Sequence, residues 1–264
     1  MSAAVSTEMQ NIIRKKLDEI AREENIRILF AAESGSRAWG FHSNDSDYDV
    51  RFIYARPLEW HLSLASKRDV VERPISDELD LSGWELSKAL RLAIGSNAVI
   101  AEWLQSPIVY SEVDSFREEL MDFCTTALTR KSVVWHYVNL TKRQHERLIQ
   151  QDGSIKLKRY FYCLRPTFAL RWMRLHEAAT PPMNMFDLME EIDLPQKVTQ
   201  YIHNLIEIKH DAGEMGLAAT SDPDCDALIT NELALATEWL KAEPKSTVDC
   251  VKVANAIHAK YSLM

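Results

Sequence analysis

Residues 33–54 read ESGSRAWGFHSNDSDYDVRFIY, and this stretch decides the fold of the 264-residue chain. Its Gly-Ser pair, Gly35 and Ser36, follows an apolar run at residues 26–32 that is typical of a largely buried strand. Glycine tolerates backbone angles closed to other residues, and the consecutive amides of such a turn can approach a phosphate closely. The pair is therefore a candidate phosphate-binding turn at the end of a strand.

A second strand is predicted at residues 47–54, where Asp47, Asp49 and Arg51 share one face because side chains alternate along a strand. With a rise of roughly 3.3 Å per residue, the two aspartate α-carbons are expected about 6–7 Å apart, which suits two cations about 3.5–4 Å apart. Carboxylates this close repel each other without a cation, so the pattern favours a two-metal Mg²⁺ site, with Mn²⁺ as an alternative ion. Arg51 offers another explanation, because its charge could neutralise Asp49.

A third carboxylate is expected from a neighbouring strand, because two carboxylates leave a two-metal site short of oxygen ligands. Residues 69–73 and 78–81 are typical of short strands joined by a turn. Asp80 faces away from the core in the second of these strands and is the first candidate. Glu78 shares its parity and is the second candidate, whereas Asp77 lies in the turn and is interpreted as a turn residue.

Helical periodicity predicts helices on both sides of this sheet. A capping box that begins at Thr7 starts a helix to residue 24, and its apolar stripe should cover one face of the sheet. Another capping box predicts a helix that begins at Ser82 and ends at Gly95. Asn97 is a typical cap for the short helix that follows it.

The rest of the chain predicts a change of architecture. Residues 107–110 are a candidate edge strand, and beyond residue 112 the pattern is helical to the end, interrupted at prolines such as Pro166. The sequence therefore predicts an α+β fold, a small mixed sheet with flanking helices, followed by an all-helical C-terminal domain.

These blocks resemble a known family. A Gly-Ser pair followed, after ten residues, by Asp-Tyr-Asp is similar to the signature of the polymerase-β-type nucleotidyltransferase superfamily. One branch, the nucleotidyltransferases linked to RNA repair pathways, resembles the chain over roughly residues 26–210. The similar blocks are GSRAWGF, NDSDYDVRFIY, LDLSGWELSKALRLAIGSNAVIAEWLQSPIVY and LKRYFYCLRPTFALRWM.

The resemblance implies transfer of a nucleoside monophosphate from an NTP such as ATP to a hydroxyl, with release of pyrophosphate. Carried over by position, Gly35 and Ser36 hold the triphosphate. Asp47 and Asp49 hold the metals, and Asp80 holds the catalytic metal and the attacking hydroxyl. The family's context implies RNA as the acceptor.

The resemblance also assigns work to the two parts of the chain. It implies that residues 1–112 form the minimal nucleotidyltransferase fold and act as the catalytic domain. Residues 113–264 then form a helical substrate-binding domain.

Charge is distributed unevenly along this acidic chain, which has 31 Lys or Arg against 39 Asp or Glu and a net charge of -8. Residues 141–174 hold nine Lys or Arg against two acids, whereas residues 177–249 hold fifteen acids against four Lys. A local basic face can attract phosphate even on an acidic protein. Lys158 and Arg165 are therefore candidates for binding the triphosphate or the acceptor, with a solvated polar face as the alternative.

Two further cations are candidate phosphate ligands. Arg37 directly follows the Gly-Ser pair, and for it a phosphate role and a structural role both stay open. Lys209 is the other candidate, with a surface lysine on an acidic helix as the alternative. Side chains that recur every four residues near Arg165 favour a buried stripe over a base-stacking platform; they are Tyr160, Leu164, Phe168 and Trp172.

Composition narrows the function classes further. No apolar run approaches the roughly 18–20 residues that cross a bilayer, and the first ten residues lack a secretory pattern, so we expect a cytoplasmic protein without membrane association. The four widely spaced cysteines are typical of buried reduced thiols. Oligomeric state is not specified by the sequence.

Two rival functions stay open at this point. The acceptor could be a protein side chain or a small molecule, as in other branches of the superfamily. Alternatively, the chain could be a non-catalytic NTP-binding module, although intact Gly35, Ser36, Asp47 and Asp49 favour an enzyme.

Overall fold

The computed structural model describes residues 5–65, 67–75, 78–149, 155–213, 217–218, 221–244 and 246–263. In chain order, its elements are α1 (Thr7–Glu23), β1 (Arg27–Ser34), α2 (Gly35–Trp39), β2 (Tyr48–Ala55), α3 (Leu58–His61), β3 (Val70–Glu72), β4 (Leu79–Glu85), α4 (Leu86–Ile94), α5 (Ala98–Leu104), β5 (Val109–Glu112), α6 (Phe116–Ala127), α7 (Arg130–His145), β6 (Ile155–Lys156), α8 (Leu157–His176), α9 (Met185–Glu191), α10 (Gln196–Ala212), β7 (Leu217–Ala218), α11 (Pro223–Ala242) and α12 (Val251–Ser262). This is the predicted α+β class with a largely helical second half.

Two compact units divide the described chain. The sheet unit comprises Met1–Ala38, Asp47–Leu128 and Val248–Met264, and the helical unit comprises Trp39–Ser46 and Thr129–Thr247. The sheet unit thus includes α6 and α12, which lie beyond residue 112. A functional division between residues 112 and 113 stays a proposal.

Five strands form the sheet in the order β3-β4-β2-β1-β5. The sheet is mixed, because β2 and β4 run parallel while the other neighbouring pairs are antiparallel. The β1–β2 register ends with Ser34 opposite Asp49, so the end of β1 lies beside the beginning of β2. Strand β5 is an edge strand, as predicted, and is shifted to Val109–Glu112.

Helix α1 covers one face of this sheet, as predicted. Its apolar stripe of Ile13, Leu17 and Ile20 packs into one buried cluster with alternate residues of the strands, among them Val50 and Leu81. Alternation leaves the neighbouring positions of β2 and β4 for the opposite face. Truncating Leu17 to alanine is expected to cost about 2–5 kcal/mol, because the side chain is fully buried.

The predicted beginning of α1 needs a correction. Ser6, and not Thr7, is the N-cap: it is extended and its Oγ accepts a hydrogen bond from the Met9 amide at 3.2 Å. A serine one residue earlier than the proposed capping box already satisfies that amide.

The predicted helix at Ser82 is wrong over its first four residues. Residues Ser82 to Glu85 continue β4 alongside β2, and α4 begins at Leu86 with Glu85 as its N-cap. Gly83 allows this pairing, because a Cβ there would lie 2.1 Å from the Phe52 ring of the neighbouring strand. The predicted end at Gly95 and the Asn97 cap of α5 are confirmed.

The remaining differences between predicted and observed elements concern short elements and one proline. The short helices α2 and α3 were not predicted, and α8 continues through Pro166. A two-stranded pair, β6 with β7, interrupts the helical half. Asp77, with the turn interpretation given to it, lies outside the described residues.

The helical unit buries its own core. The predicted stripe on α8 is buried, with Tyr160, Leu164 and Phe168 fully inaccessible, so packing explains its period. The four cysteines are free and buried, and burial raises the pKa of Cys124 to about 12. None of the described helices is both long and apolar enough to cross a membrane.

Candidate active site

Asp49 and Asp80 lie side by side as direct register partners in the parallel pair of β2 and β4. Register partners on neighbouring strands point to the same face, and Arg51 joins the two carboxylates there. Its Nη2 lies 3.3 Å from Asp49 Oδ1 and 2.7 Å from Asp80 Oδ2. Both carboxylates keep 29% of their side-chain surface exposed, so a ligand can reach them.

Gly35 lies directly against Asp49. Its φ of +63° is in the left-handed region, and a Cβ at this position would lie 2.0 Å from Asp49 Oδ2. Any other residue would therefore push the carboxylate away and strain the backbone. The candidate phosphate-binding turn at Gly35 therefore contacts Asp49, which is a predicted metal ligand. Ser36, the next residue of the turn, is buried.

Asp47 does not join the other two aspartates. Strand β2 begins at Tyr48, so Asp47 lies outside the regular pleat and its side chain is exposed. Within the described residues, Asp47, Asp49 and Asp80 do not bring one carboxylate oxygen each within 4.8 Å of one another. The predicted convergence of all three is therefore not observed, whereas the Asp49–Asp80 pair is.

Glu78 is separated from the pair as well. It precedes β4, has a positive φ of 65° and is exposed, while its carbonyl accepts from the Tyr48 amide at 2.8 Å. This geometry favours Asp80 over Glu78 as the partner of Asp49.

Arg37 packs inside the sheet unit. Only 6% of its surface is exposed, its Nε donates to the Asp47 carbonyl at 3.2 Å, and its guanidinium lies 3.9 Å from the Tyr48 ring centroid. These contacts fix the chain on both sides of the loop between α2 and β2. They favour the structural role over the phosphate role.

Glu33 is a buried carboxyl that the sequence interpretation missed. It is fully inaccessible; its Oε1 accepts from the Asp49 amide at 2.6 Å, and its Oε2 accepts from the Tyr110 hydroxyl. Burial raises the pKa of Glu33 to about 7, and the charge of Asp49 adds to this while the two hydrogen bonds oppose it. The available signal was its parity with Ala31, which points to the core.

The residues at this site fit a divalent cation. Mg²⁺ prefers oxygen ligands, and Asp49 and Asp80 present carboxylate oxygens on one partly exposed face. Arg51 bonds both carboxylates, which shows that this position favours positive charge.

Three of the predicted phosphate ligands belong to the helical unit. Arg165 is 3% exposed, donates from Nε to the Met183 carbonyl at 2.9 Å and lies over the Trp39 ring. Lys209 is 1% exposed, with its Nζ 3.4 Å from Ser43 Oγ, so the surface-lysine alternative is wrong. Lys158 is exposed on α8.

The loop between the glycine turn and the aspartate strand packs within the helical unit. Phe41 stacks on Phe161 of α8 with ring centroids 4.9 Å apart, and Trp39 contacts Tyr162 edge-on at 5.2 Å. Lys209 of α10 holds Ser43 of the same loop. The candidate active site is thus interrupted, in sequence, by eight residues that belong to the other unit.

A left-handed glycine lies against Asp49 on a mixed sheet, and Asp80 is the parallel partner of Asp49, which agrees with the positions that the sequence resemblance to nucleotidyltransferases implies. The family model described as RNA repair pathway DNA polymerase beta family, RlaP, matches residues 9–257, and the chain belongs to this family. The resemblance seen in the sequence is thereby confirmed. Nucleotidyl transfer is the activity class of this family, and its members generally use an NTP and divalent metals.

Two further proteins are similar to this chain. The chain is 41% identical over 239 residues to the uncharacterized protein YcgL of Bacillus subtilis (strain 168), covering 90% of this chain and 91% of that protein. A crystal structure of a nucleotidyltransferase-like protein from Exiguobacterium sibiricum 255-15 aligns at 11% identity and a TM-score of 0.30. That alignment covers 96% of this chain and 78% of that one.

Proposed function

We propose that the protein is a Mg²⁺-dependent nucleotidyltransferase of the EC 2.7.7 type that transfers a nucleoside monophosphate from an NTP, such as ATP, to a hydroxyl at an RNA end. Mn²⁺ is an alternative ion. An RNA acceptor and an NTP donor are both cytoplasmic, so we place the reaction there. The family description, with its RNA repair pathway, supports the choice of RNA.

One observation carries this proposal: Asp49 touches the glycine turn on one side and pairs with Asp80 on the other. A phosphate held at Gly35 would therefore lie next to two carboxylates that can share a cation with it. Such an arrangement is what phosphoryl transfer needs, because its catalysis consists mostly of positioning and charge stabilisation.

The residues would divide the work as follows. Amides of Gly35 and Ser36 bind the triphosphate, and Asp49 with Asp80 holds Mg²⁺, with Asp47 as an additional ligand from the exposed strand end. Bound Mg²⁺ would neutralise the charge of the triphosphate and assist deprotonation of the attacking hydroxyl. Asp80 also orients that hydroxyl, while Glu33 fixes the backbone of Asp49.

The bond changes balance without a further reactant. The acceptor oxygen forms a bond to the α-phosphorus, and the bond from that phosphorus to the β-phosphate oxygen breaks. The hydroxyl proton leaves to solvent, and pyrophosphate carries away the negative charge.

An NTP-by-acceptor screen tests the proposal. The protein is incubated with Mg²⁺, each NTP labelled at the α-phosphate, and RNAs with different 3′ ends. Label should appear on RNA and should be lost in Asp49→Asn and Asp80→Asn, but not in Asp114→Asn, a matched change at an exposed site. Transfer that survives both substitutions would overturn the mechanism.

The same screen separates the rival functions. Label on the protein, or on a small product, would identify another acceptor. NTP binding without pyrophosphate release, with any acceptor, would identify a non-catalytic module.

A further inference from the structure

A second cluster of metal-ligand side chains lies in the sheet unit, formed by His61, Glu85 and His258. One ligand atom from each lies within 4.8 Å of the other two. The three residues come from separate parts of the chain: the end of α3, the end of β4 and the middle of α12. None of them belongs to the aspartate site described above.

All three residues carry a buried atom that lacks a hydrogen-bond partner in the described part of the chain. These atoms are His61 Nε2, Glu85 Oε1 and His258 Nε2. Buried polar atoms nearly always have a hydrogen-bond partner. Three buried atoms without one in a single cluster indicate a site where a bound species would contact all three. The Glu85 side chain is fully inaccessible, which makes its free oxygen the most costly of the three.

The carboxylate of Glu85 is held in place for such a role. Its Oε2 accepts from the Ser87 amide at 2.7 Å and from the Ser87 hydroxyl, which leaves Oε1 directed toward the histidines. His61 Nε2 lies 3.8 Å from Oε1, and the two imidazole rings meet edge-on with centroids 4.9 Å apart. In tetrahedral zinc sites with bonds of about 2.0–2.1 Å, neighbouring ligand atoms lie about 3.3 Å apart. The His61–Glu85 distance of 3.8 Å is close to this value, and the other ligand atoms, all within 4.8 Å, would move closer on binding.

Charged groups of both signs lie in and beside the cluster. Glu85 contributes a carboxylate to the cluster, and carboxylate oxygens bind divalent cations. The nearby Lys88 and Arg91 are both paired with Asp69, at 3.1 and 3.0 Å. The single carboxylate of Asp69 therefore offsets part of these two positive charges.

An open cavity of about 410 Å³ adjoins the cluster. His61 lines it together with polar groups that include Asp69 and Ser87. Of the three cluster residues, His61 lines this cavity, so a metal ion could approach the cluster from the His61 side.

We infer that His61, Glu85 and His258 form a second metal site, distinct from the aspartate pair, that binds one zinc-class divalent cation. Two imidazoles and one carboxylate suit zinc better than Mg²⁺, which prefers oxygen ligands. Because the ligands come from α3, β4 and α12, the ion would link the C-terminal helix to the sheet.

Zinc titration of the full-length, chelator-treated protein tests this inference. We expect one equivalent of Zn²⁺ to bind tightly and to survive Asp49→Asn combined with Asp80→Asn, which removes the proposed Mg²⁺ ligands. His258→Ala and His61→Ala should each weaken zinc binding by more than about 100-fold, since even outer partners of metal ligands contribute 10–100-fold. His145→Ala, at an exposed histidine of α7, is the matched control.

Cobalt substitution gives an independent readout. Co²⁺ at this site should show the visible absorption of four-coordinate nitrogen and oxygen ligation, and the His61 variant should lose it while circular dichroism shows a folded chain. His61 is the safer variant for folding, because α3 is short and carries no buried residues. Zinc affinity equal to the wild type in both histidine variants, or no tight zinc in the wild type, would overturn the inference.

Discussion

Asp49 and Asp80 face each other across two parallel strands, and a single guanidinium, that of Arg51, bonds both. Parallel pairing of β2 with β4 is what brings them together, because residues 31 positions apart in the chain become direct neighbours. Arg51 supplies positive charge between them. A cation bound by the two aspartates, as proposed, would compete with Arg51 for the same carboxylate oxygens.

Replacing Arg51 should expose this competition. In Arg51→Gln, the two carboxylates lose their shared counter-charge, and we expect a loss of about 1 kcal/mol in unfolding free energy at low ionic strength, since partly exposed pairs are screened. Mg²⁺ should then raise the melting temperature of Arg51→Gln more than that of the wild type. Thermal unfolding with and without Mg²⁺ measures both effects.

Arg68→Gln is the matched control, because Arg68 pairs with Glu72 on the surface. Its response to Mg²⁺ should equal that of the wild type. An equal response in Arg51→Gln would show that the guanidinium and the ion do not share a position.

A pair of glycine substitutions tests the contact between the turn and Asp49. Gly35→Ala should destabilise the protein by at least about 1–2 kcal/mol from its left-handed backbone alone, and it should also displace Asp49. Gly95→Ala has negative φ and meets only ordinary contacts, so it should be neutral or stabilise by about 0.4–1 kcal/mol. Chemical denaturation compares the two, and similar values for both would contradict the contact.

Glu33 should make stability depend on pH. Because its pKa is raised to about 7 in the folded chain, the folded state holds a proton between pH 4.5 and 7 that the unfolded state releases. The contribution of Glu33 to the free energy of unfolding is fully present below pH 4.5 and is lost as the pH rises through about 7. The total loss is up to about 3 kcal/mol. Glu33→Gln should remove this slope.

Denaturation curves across that pH range give the measurement. Glu118→Gln, at an exposed position on α6, should keep the wild-type slope. A slope that persists unchanged in Glu33→Gln would assign the effect to other groups.

Substitutions of Arg165 and Lys158 in the helical unit should have different effects on stability, because Arg165 is buried and Lys158 is exposed. Arg165→Met removes a buried donor from the Met183 carbonyl and should destabilise by about 1–3 kcal/mol. Lys158→Ala, at an exposed position, should change stability by less than about 0.5 kcal/mol, so any loss of NTP or RNA binding reports on the ligand itself. Calorimetry with each ligand, beside thermal unfolding, distinguishes them; unchanged binding in Lys158→Ala would remove it from the proposed site.

Local sequence patterns predicted those features of the fold that depend on side-chain periodicity. Strand alternation predicted the shared face of Asp49 and Arg51, and an apolar stripe predicted the cover that α1 gives the sheet. The boundary at Ser82 was mispredicted because a capping pattern competed with pairing to β2. In that pairing Gly83 lies against the Phe52 ring, a contact between distant residues that local sequence does not show.

The site was predictable only in part, for a similar reason. Parity predicted the face that Asp80 shares with Asp49. The burial of Arg37 and Lys209, which were candidate phosphate ligands, was not predictable because it arises from packing between distant segments. Glu33 was missed since its hydrogen-bond partner Tyr110 comes from another strand.

The loop of residues 39–46 has a practical consequence for anyone who wishes to dissect this protein. Cutting the chain after residue 112 would leave Phe41 without Phe161 and Ser43 without Lys209, although both loop residues would remain in the fragment. It would also discard α12, whose Tyr261 carbonyl accepts a hydrogen bond from Arg27 Nη2 of β1 at 3.3 Å. A truncated enzyme built on linear domain borders would therefore carry an orphaned loop between its two sequence motifs.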